Sequence, residues 1–156
     1  MINNKEEKIC SFFVSDFHFE MISLPYISRS LEENKNVIIM TENNLKDTIQ
    51  VLVSKMNLKE DKKKNILNLN WENKDIEKFK ILKKCTDEDK QTIILIKGKE
   101  NYIKNVNENI QKWIENKNVK VIDCYEIEEM GEKIDLVMSR YDRVLGTMGE
   151  KEIQKI

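Results

Sequence analysis

Glycine and proline are scarce in this chain, at four and one of 156 residues, and there is a single histidine. Only Arg29, Arg140 and Arg143 are arginines, and the cysteines number three. The loop Ser15 to Glu20, which follows the first apolar run, holds no glycine at all. A phosphate loop (GxxxxGK[ST]) or a dinucleotide fingerprint (GxGxxG) would need glycine there, because its backbone must close tightly around phosphate. Neither pattern occurs, which argues against standard NTP or NAD binding. Cys10, Cys85 and Cys124 lie far apart, with no CxxC pair and no Cys/His cluster, so no zinc site of the usual spacing exists. No apolar run approaches the length of a membrane span, and Met1 to Lys8 is polar, unlike a signal peptide. The expectation is a cytoplasmic protein with reduced thiols and no membrane partner. The net charge of -1 lacks the basic excess of a nucleic-acid binder. The lysines accompany many asparagines and isoleucines, as an AT-rich coding bias produces, and Lys62-Lys63-Lys64 reads as a solvated turn.

What is present is a run of strand and helix signals. Hydrophobic residues make up 40% and charged residues 35%, the balance of a globular chain with a charged surface. Ile9 to Val14 and Val37 to Met40 are short apolar runs. Between them Leu24, Ile27 and Leu31 fall on one helical face, so the segment reads as a βαβ unit. Phe17, Met21, Leu24 and Ile27 extend that stripe back toward Asp16, so the helix starts there and Pro25 kinks it. Asn34-Lys35-Asn36 turns into the second strand. A second helix opens at Thr41 to Asn44 and buries Leu45, Ile49, Leu52, Val53 and Met56. Ile66 to Leu69 reads as strand three, ending near Trp71. Lys74 to Lys84 is a short helix carrying Ile76, Phe79 and Leu82 or Ile81, and Cys85 to Lys90 is an acidic loop. Thr92 to Ile96 is the clearest strand, an unbroken apolar run of the kind buried on both faces. A helix over Asn101 to Glu115 carries Ile103, Val106, Ile110, Trp113 and Ile114. Val119 to Tyr125 is strand five, and Gly131 to Tyr141 a last helix with Ile134, Val137 and Met138 inward. The fold class is α/β, a doubly wound and mostly parallel five-stranded sheet with helices on both faces. It forms one domain over residues 1–146, with a helical or disordered tail over 147–156.

Open α/β sheets bind ligands at the carboxyl ends of their strands. That rule places Asp16, Phe17, His18, Thr41, Glu42, Trp71, Lys97, Gly98 and Glu100 around a candidate ligand site. His18 reads either as an acid/base or ligand contact or as a partly exposed loop histidine. Asp16 and Glu20 read either as a cation site or as the acidic start of a helix, with Asp16 its N-cap. Gly98 permits either close approach of a ligand or a plain strand-to-helix turn. Trp71 and Tyr102, at element ends, are pocket candidates, whereas Trp113 fits a core face. Cys10 and Cys124 read as small buried hydrophobes. No serine or cysteine nucleophile sits in a recognisable elbow, so no catalytic triad is read.

Several stretches together resemble one family. Ile9-Cys10-Ser11-Phe12-Phe13, Leu24-Pro25-Tyr26-Ile27, Leu31-Glu32-Glu33-Asn34 and Val37-Ile38-Ile39-Met40-Thr41 resemble the opening of MEDS domains. These are sensory domains of methanogen and methylotroph regulators, including a dichloromethane-responsive repressor. Gly98-Lys99-Glu100 is similar to the family's Gly-Glu-Met turn. Cys124-Tyr125-Glu126-Ile127 and Asp135 to Met138 through Arg143-Val144-Leu145 are similar to its C-x-YD strand end and final helix. The resemblance runs from about Ile9 to Gly146 and implies a RecA/KaiC-like core without its phosphate loop. The chain departs from the pattern at Lys8 and Tyr141, where the family has histidines, at Asp142, where it has proline, and at Glu126, where it has aspartate. Any ligand or metal chemistry of those histidines is then lost or falls to His18.

The resemblance implies a sensory or regulatory domain that is not an enzyme. It would bind a small ligand of unidentified class at the sheet's carboxyl end, need no cofactor, and signal through a protein partner. The alternative is a catalytically inactive ATPase-like assembly module, such as a homodimer, working through the tail and exposed apolar residues. The third reading is a metal-assisted enzyme using Asp16 and His18.

Overall fold

Seven consecutive buried residues, Thr92–Gly98, form the strand on which the sheet is built. In the computed structural model, which describes residues 8–84, 90–114 and 118–153, the elements alternate as α/β. They are β1 (Ile9–Phe13), α1 (Asp16–Glu32), β2 (Asn36–Thr41), α2 (Lys46–Lys55), α3 (Glu60–Leu67), α4 (Asp75–Lys84), β3 (Thr92–Gly98), α5 (Glu100–Ile114), β4 (Val119–Glu126), α6 (Ile134–Met138), β5 (Arg143–Gly146) and β6 (Gly149–Glu152). The six-stranded sheet has the order β2-β3-β4-β1-β5-β6. All neighbours are parallel except β5 and β6, an antiparallel hairpin. Among the described residues no helix is long and apolar enough to cross a membrane.

Two cores flank the sheet. One joins Phe19, Ile22, Leu24 and Ile27 of α1 with Ile49 and Val53 of α2 and Ile66 of α3. The other joins Leu82 of α4, Ile103, Val106, Ile110 and Ile114 of α5, and Val137 of α6. β1 leaves the sheet through α1 on the first face, and its neighbour β4 leaves through α6 on the second. Adjacent strands whose connections part to opposite faces create the crevice where such sheets admit ligands. Here it lies where Phe13 pairs with Glu126.

The sequence reading of α1 holds in extent: the helix runs from Asp16 through Pro25 to Glu32. Pro25 removes one backbone donor, a loss of about 3 kcal/mol in a helix interior, which the burial of Phe19, Ile22, Leu24 and Ile27 offsets. Asn34, at φ 61°, closes the helix as its left-handed cap, with Lys35 N–H donating to Ser30 O at 3.0 Å. The buried face differs from expectation, because Phe17 and Met21 are exposed and Phe19 and Ile22 face the core. The N-cap is Ser15, not Asp16.

Three further expectations are corrected. Ile66 to Leu69 is no strand: Ile66 and Leu67 end α3, and Trp71 Nε1–H donates to Ile66 O at 3.0 Å. Two acidic residues in its first turn and Lys64 in its last favour a helix there. The tail read as helical or disordered contributes β6, so residues 149–152 belong to the sheet. The last helix is only Ile134–Met138, preceded by two 3-10 turns. Of the acidic loop expected over Cys85 to Lys90, all but Lys90 lies outside the described residues.

β2 is an edge strand, and Lys78 guards it. This side chain of α4 is 1% exposed, and its ammonium donates to Ile39 O of β2 and to Glu72 O. An occupied edge carbonyl is closed to a further strand. Burial pushes the Lys78 pKa down to about 8. The folded state therefore releases this proton before the unfolded chain does, and stability rises with pH between about 8 and 10.5. Denaturant titrations across that window should show the wild type gaining roughly 3 kcal/mol relative to Lys78→Met. A pH-independent difference between the two proteins would contradict the buried charge.

Candidate ligand site

At the carboxyl end of the sheet the candidate residues bond to one another. Lys97, 3% exposed, ends β3 with its ammonium 2.8 Å from Asp16 Oδ1 and 2.8 Å from Asn43 Oδ1. Asn43 Nδ2 donates to Asp16 Oδ2 at 3.0 Å, closing a triangle. The ammonium also lies 4.8 Å from the Phe13 ring centroid and 5.4 Å from that of Phe19. Thr41 Oγ1–H donates to Asn43 O at 2.7 Å. Behind Lys97, burial raises the Glu20 carboxyl, and its Oε1 has no hydrogen-bond partner among the described residues.

Glu42 and Gly98 complete the cluster. Glu42 Oε1 accepts from Lys99 N–H at 3.0 Å, and Glu42 O accepts from Asn73 Nδ2 at 2.7 Å. A Cβ on Gly98 would lie 2.7 Å from the Tyr102 ring and 2.9 Å from Glu42 Oε1. The close approach that requires glycine is thus made by the protein's own side chains. Tyr102 is held there by its hydroxyl, which donates to Asp75 at 2.9 Å.

His18 folds back on its loop. Ser15 Oγ accepts from His18 N–H at 3.1 Å, and His18 Nδ1 accepts from Val14 N–H at 3.0 Å. An accepting Nδ1 leaves the ring proton on Nε2. Phe17 is 61% exposed and points away, and Trp71 is buried in the first core. Of the residues named from sequence, Asp16, Thr41, Glu42, Lys97 and Gly98 come together. Asp16 and His18 are both engaged, and among the described residues no three His, Cys, Asp or Glu side chains gather as metal ligands.

Glu100 lines a different feature, a cleft of about 460 Å³ between α5 and β4 on the second face. β4 alternates, so Ile122 and Cys124 enter one core while Val121 and Tyr125 face the other. Asp123 sits between them on the floor of the cleft, 8% exposed. Its Oδ1 accepts from Asn107 Nδ2 at 2.9 Å, and its Oδ2 accepts from Tyr141 O–H at 2.6 Å. Tyr141 has one proton, so at the 2.6 Å contact between the two phenols Tyr125 is the donor. Phe12 stacks behind Tyr125 at 5.7 Å. Ile103 and Val121 supply apolar wall, and Lys8, Lys104 and Arg140 reach the rim with Glu100. Lys8 and Tyr141 both line this cleft.

Burial raises the Asp123 carboxyl, opposed by the hydrogen bonds from Tyr141 and Asn107 and by the charge of Lys8. Burial also pushes Tyr125 up to about 12 and raises Tyr141 further, with the Asp123 charge adding to the latter. Cys10, buried nearby, is pushed up to about 12 and is a thiol at neutral pH. On the floor the protons of both phenols are committed, that of Tyr141 to Asp123 and that of Tyr125 to Tyr141, an arrangement suited to binding. Sequence reasoning placed Asp123 inside a strand and missed its role; the available signal was a lone carboxylate in the apolar run Val121-Ile122-Asp123-Cys124-Tyr125.

Comparison with family models, with curated proteins and with solved structures returns no match to this chain.

The sheet-end triangle predicts an asymmetry. Asp16→Ala leaves a buried ammonium without its charged partner and should cost about 2 kcal/mol in urea unfolding. Lys97→Met removes the buried charge and leaves the half-exposed Asp16 to water, so it should cost less than half as much. Equal losses would show that Lys97 is not held as a buried ion.

Proposed function

We propose that this chain is a regulatory domain that binds a small molecule without transforming it, in the cleft between α5 and β4, and passes the bound state to a protein partner. The observation that carries the reading is the closed polar chain Asn107–Asp123–Tyr141–Tyr125 on the floor of a cleft of about 460 Å³. That volume falls within the usual range of small-molecule sites, and a few fixed polar groups among apolar walls match their composition. The resemblance to MEDS sensory domains supports the same role, as does the absence of a glycine-bearing phosphate loop. The ligand expected at the strand ends shifts in this reading. Asp16, Asn43 and Lys97 bond to one another there, whereas the cleft starts beside Tyr125 and Glu100 at the same end and runs along the sheet face.

One observation favours the second reading, an interaction module. Phe17 and Met21, one turn apart on α1, are exposed, and Met148 at the tip of the β5–β6 hairpin is 84% exposed. Exposed large apolar side chains that lie together mark protein contacts.

A thermal-shift screen of the full chain against small metabolites, with Val121→Trp and Lys97→Met as companions, tests the proposal. A ligand at a hundredfold excess over its Kd adds about 2.7 kcal/mol, roughly 6 °C for a chain of this size. Such shifts should vanish in Val121→Trp, whose indole fills the cleft, and survive in Lys97→Met. The reverse pattern would move the site to the strand ends. No shift from any compound, with a stable oligomer in sedimentation, would favour the interaction module.

A further inference from the structure

We propose that the cleft binds a small primary ammonium ion, anchored by the Asp123 carboxylate. This rests on the reading of the cleft as the ligand site and names the chemical class it takes. Tyr141 gives its one hydroxyl proton to Asp123 Oδ2 at 2.6 Å, and Tyr125 gives its own to Tyr141. Asn107 Nδ2 gives one proton to Asp123 Oδ1 at 2.9 Å and the other to Ile103 O at 3.1 Å. Every side-chain donor on the floor is thereby spent on the protein itself. What the floor offers a ligand is acceptors alone: the other lone pairs of the carboxylate, the Tyr125 oxygen and the Asn107 amide oxygen.

The charge points the same way. Buried carboxylates are normally paired with a cation. Among the described residues Asp123 has two neutral hydrogen-bond donors; the charge of Lys8 favours its ionised form from the rim, but no lysine or arginine nitrogen forms an ion pair with it. Lys8, Lys104 and Arg140 stay at the rim beside Glu100 and Glu108, so the rim carries both signs and does not select. A primary ammonium brings three N–H donors and one positive charge, which match an acceptor-only floor bearing one negative charge. Ile103 and Val121 beside it form a wall against which a short alkyl chain loses its water. An anion meets the Asp123 charge, and a neutral alcohol brings one donor and no charge.

Amide NMR titrations of the full chain with butylammonium, butanol and butyrate decide the matter. Butylammonium should shift the amides of Asp123, Tyr125, Tyr141 and Asn107 saturably, at least tenfold more tightly than butanol or butyrate. Asp123→Asn keeps the shape and removes the charge, and it should weaken butylammonium tenfold or more. Should that variant not fold, Val121→Trp, which leaves Asp123 in place, should abolish the same shifts. Butanol binding as tightly as butylammonium, or undiminished butylammonium binding by a folded Asp123→Asn, would overturn the amine assignment and leave the cleft as a site of another class. If none of the probes moves the cleft amides, the amine assignment falls. The wider reading then falls only if the metabolite screen also finds no ligand sensitive to Val121→Trp.

Discussion

The burial of β3 on both faces is the constraint on which both ends of the molecule depend. A strand bonded to parallel neighbours on each side, with helices above and below, exposes none of its side chains, so its residues must be apolar or fully partnered. Thr92 to Ile96 satisfies the first condition and Lys97 the second. Its ammonium reaches Asp16 at the start of α1 and Asn43 after β2, so one buried charge pins the ends of three strands. In a phosphate-binding fold that space is bounded by glycine backbone and filled by ligand. Here it is bounded by side chains that bond to one another, and Gly98 makes room for Tyr102 and Glu42.

Two buried lysines flank β2 and are held by different means. Lys97 bonds to a carboxylate, whereas among the described residues Lys78 bonds to the carbonyls of Ile39 and Glu72, with the charges of Asp75 and Glu72 opposing burial from nearby. Carbonyl dipoles offset less of the desolvation of an ammonium than an anion does, which is why burial dominates at Lys78 and draws its pKa toward neutrality. The gain is a closed edge. At the opposite edge, β6 carries Glu150, Lys151 and Glu152, and there charge serves the same end.

Much of this was legible in the sequence, for reasons that also explain what was not. The runs Ile9 to Val14, Val37 to Met40, Thr92 to Ile96 and Val119 to Tyr125 are strands in the structure, because burial on two faces forces continuous apolar residues. Ile66 to Leu69 shows the ambiguity of a four-residue run, since a single buried Ile66 meets the same need from a helix end. The β5–β6 hairpin was invisible, because short edge strands with one solvated face carry little apolar signal. On α1, Phe17 and Phe19 are two residues apart and cannot share a face. Of the stripe Phe17, Met21, Leu24 and Ile27, the last two are buried and the first two point at solvent. At the strand ends, sequence position found Asp16, Thr41, Glu42, Lys97 and Gly98, but it could not show that they satisfy one another. The cleft depends on the pairing of Asp123 with Tyr141, 18 residues later in the chain, which no local pattern encodes.

That pairing joins the cleft to the sheet's far edge. Tyr141 directly precedes Asp142, whose N–H donates to Lys8 O at 2.8 Å and whose carboxylate accepts from Lys8 N–H at 2.9 Å. Arg143 then begins β5, which is fixed to β1 by Cys10 Sγ–H to Arg143 O and by Ser11 Oγ–H to Leu145 O at 2.7 Å. Tyr141 therefore ties the floor of the cleft to the residue where β5 starts, and β5 carries β6 with it. β5 touches β1 over two residue pairs, whereas β4 pairs with β1 over five, so these side-chain bonds reinforce a short ladder at the point where the hairpin to Met148 begins.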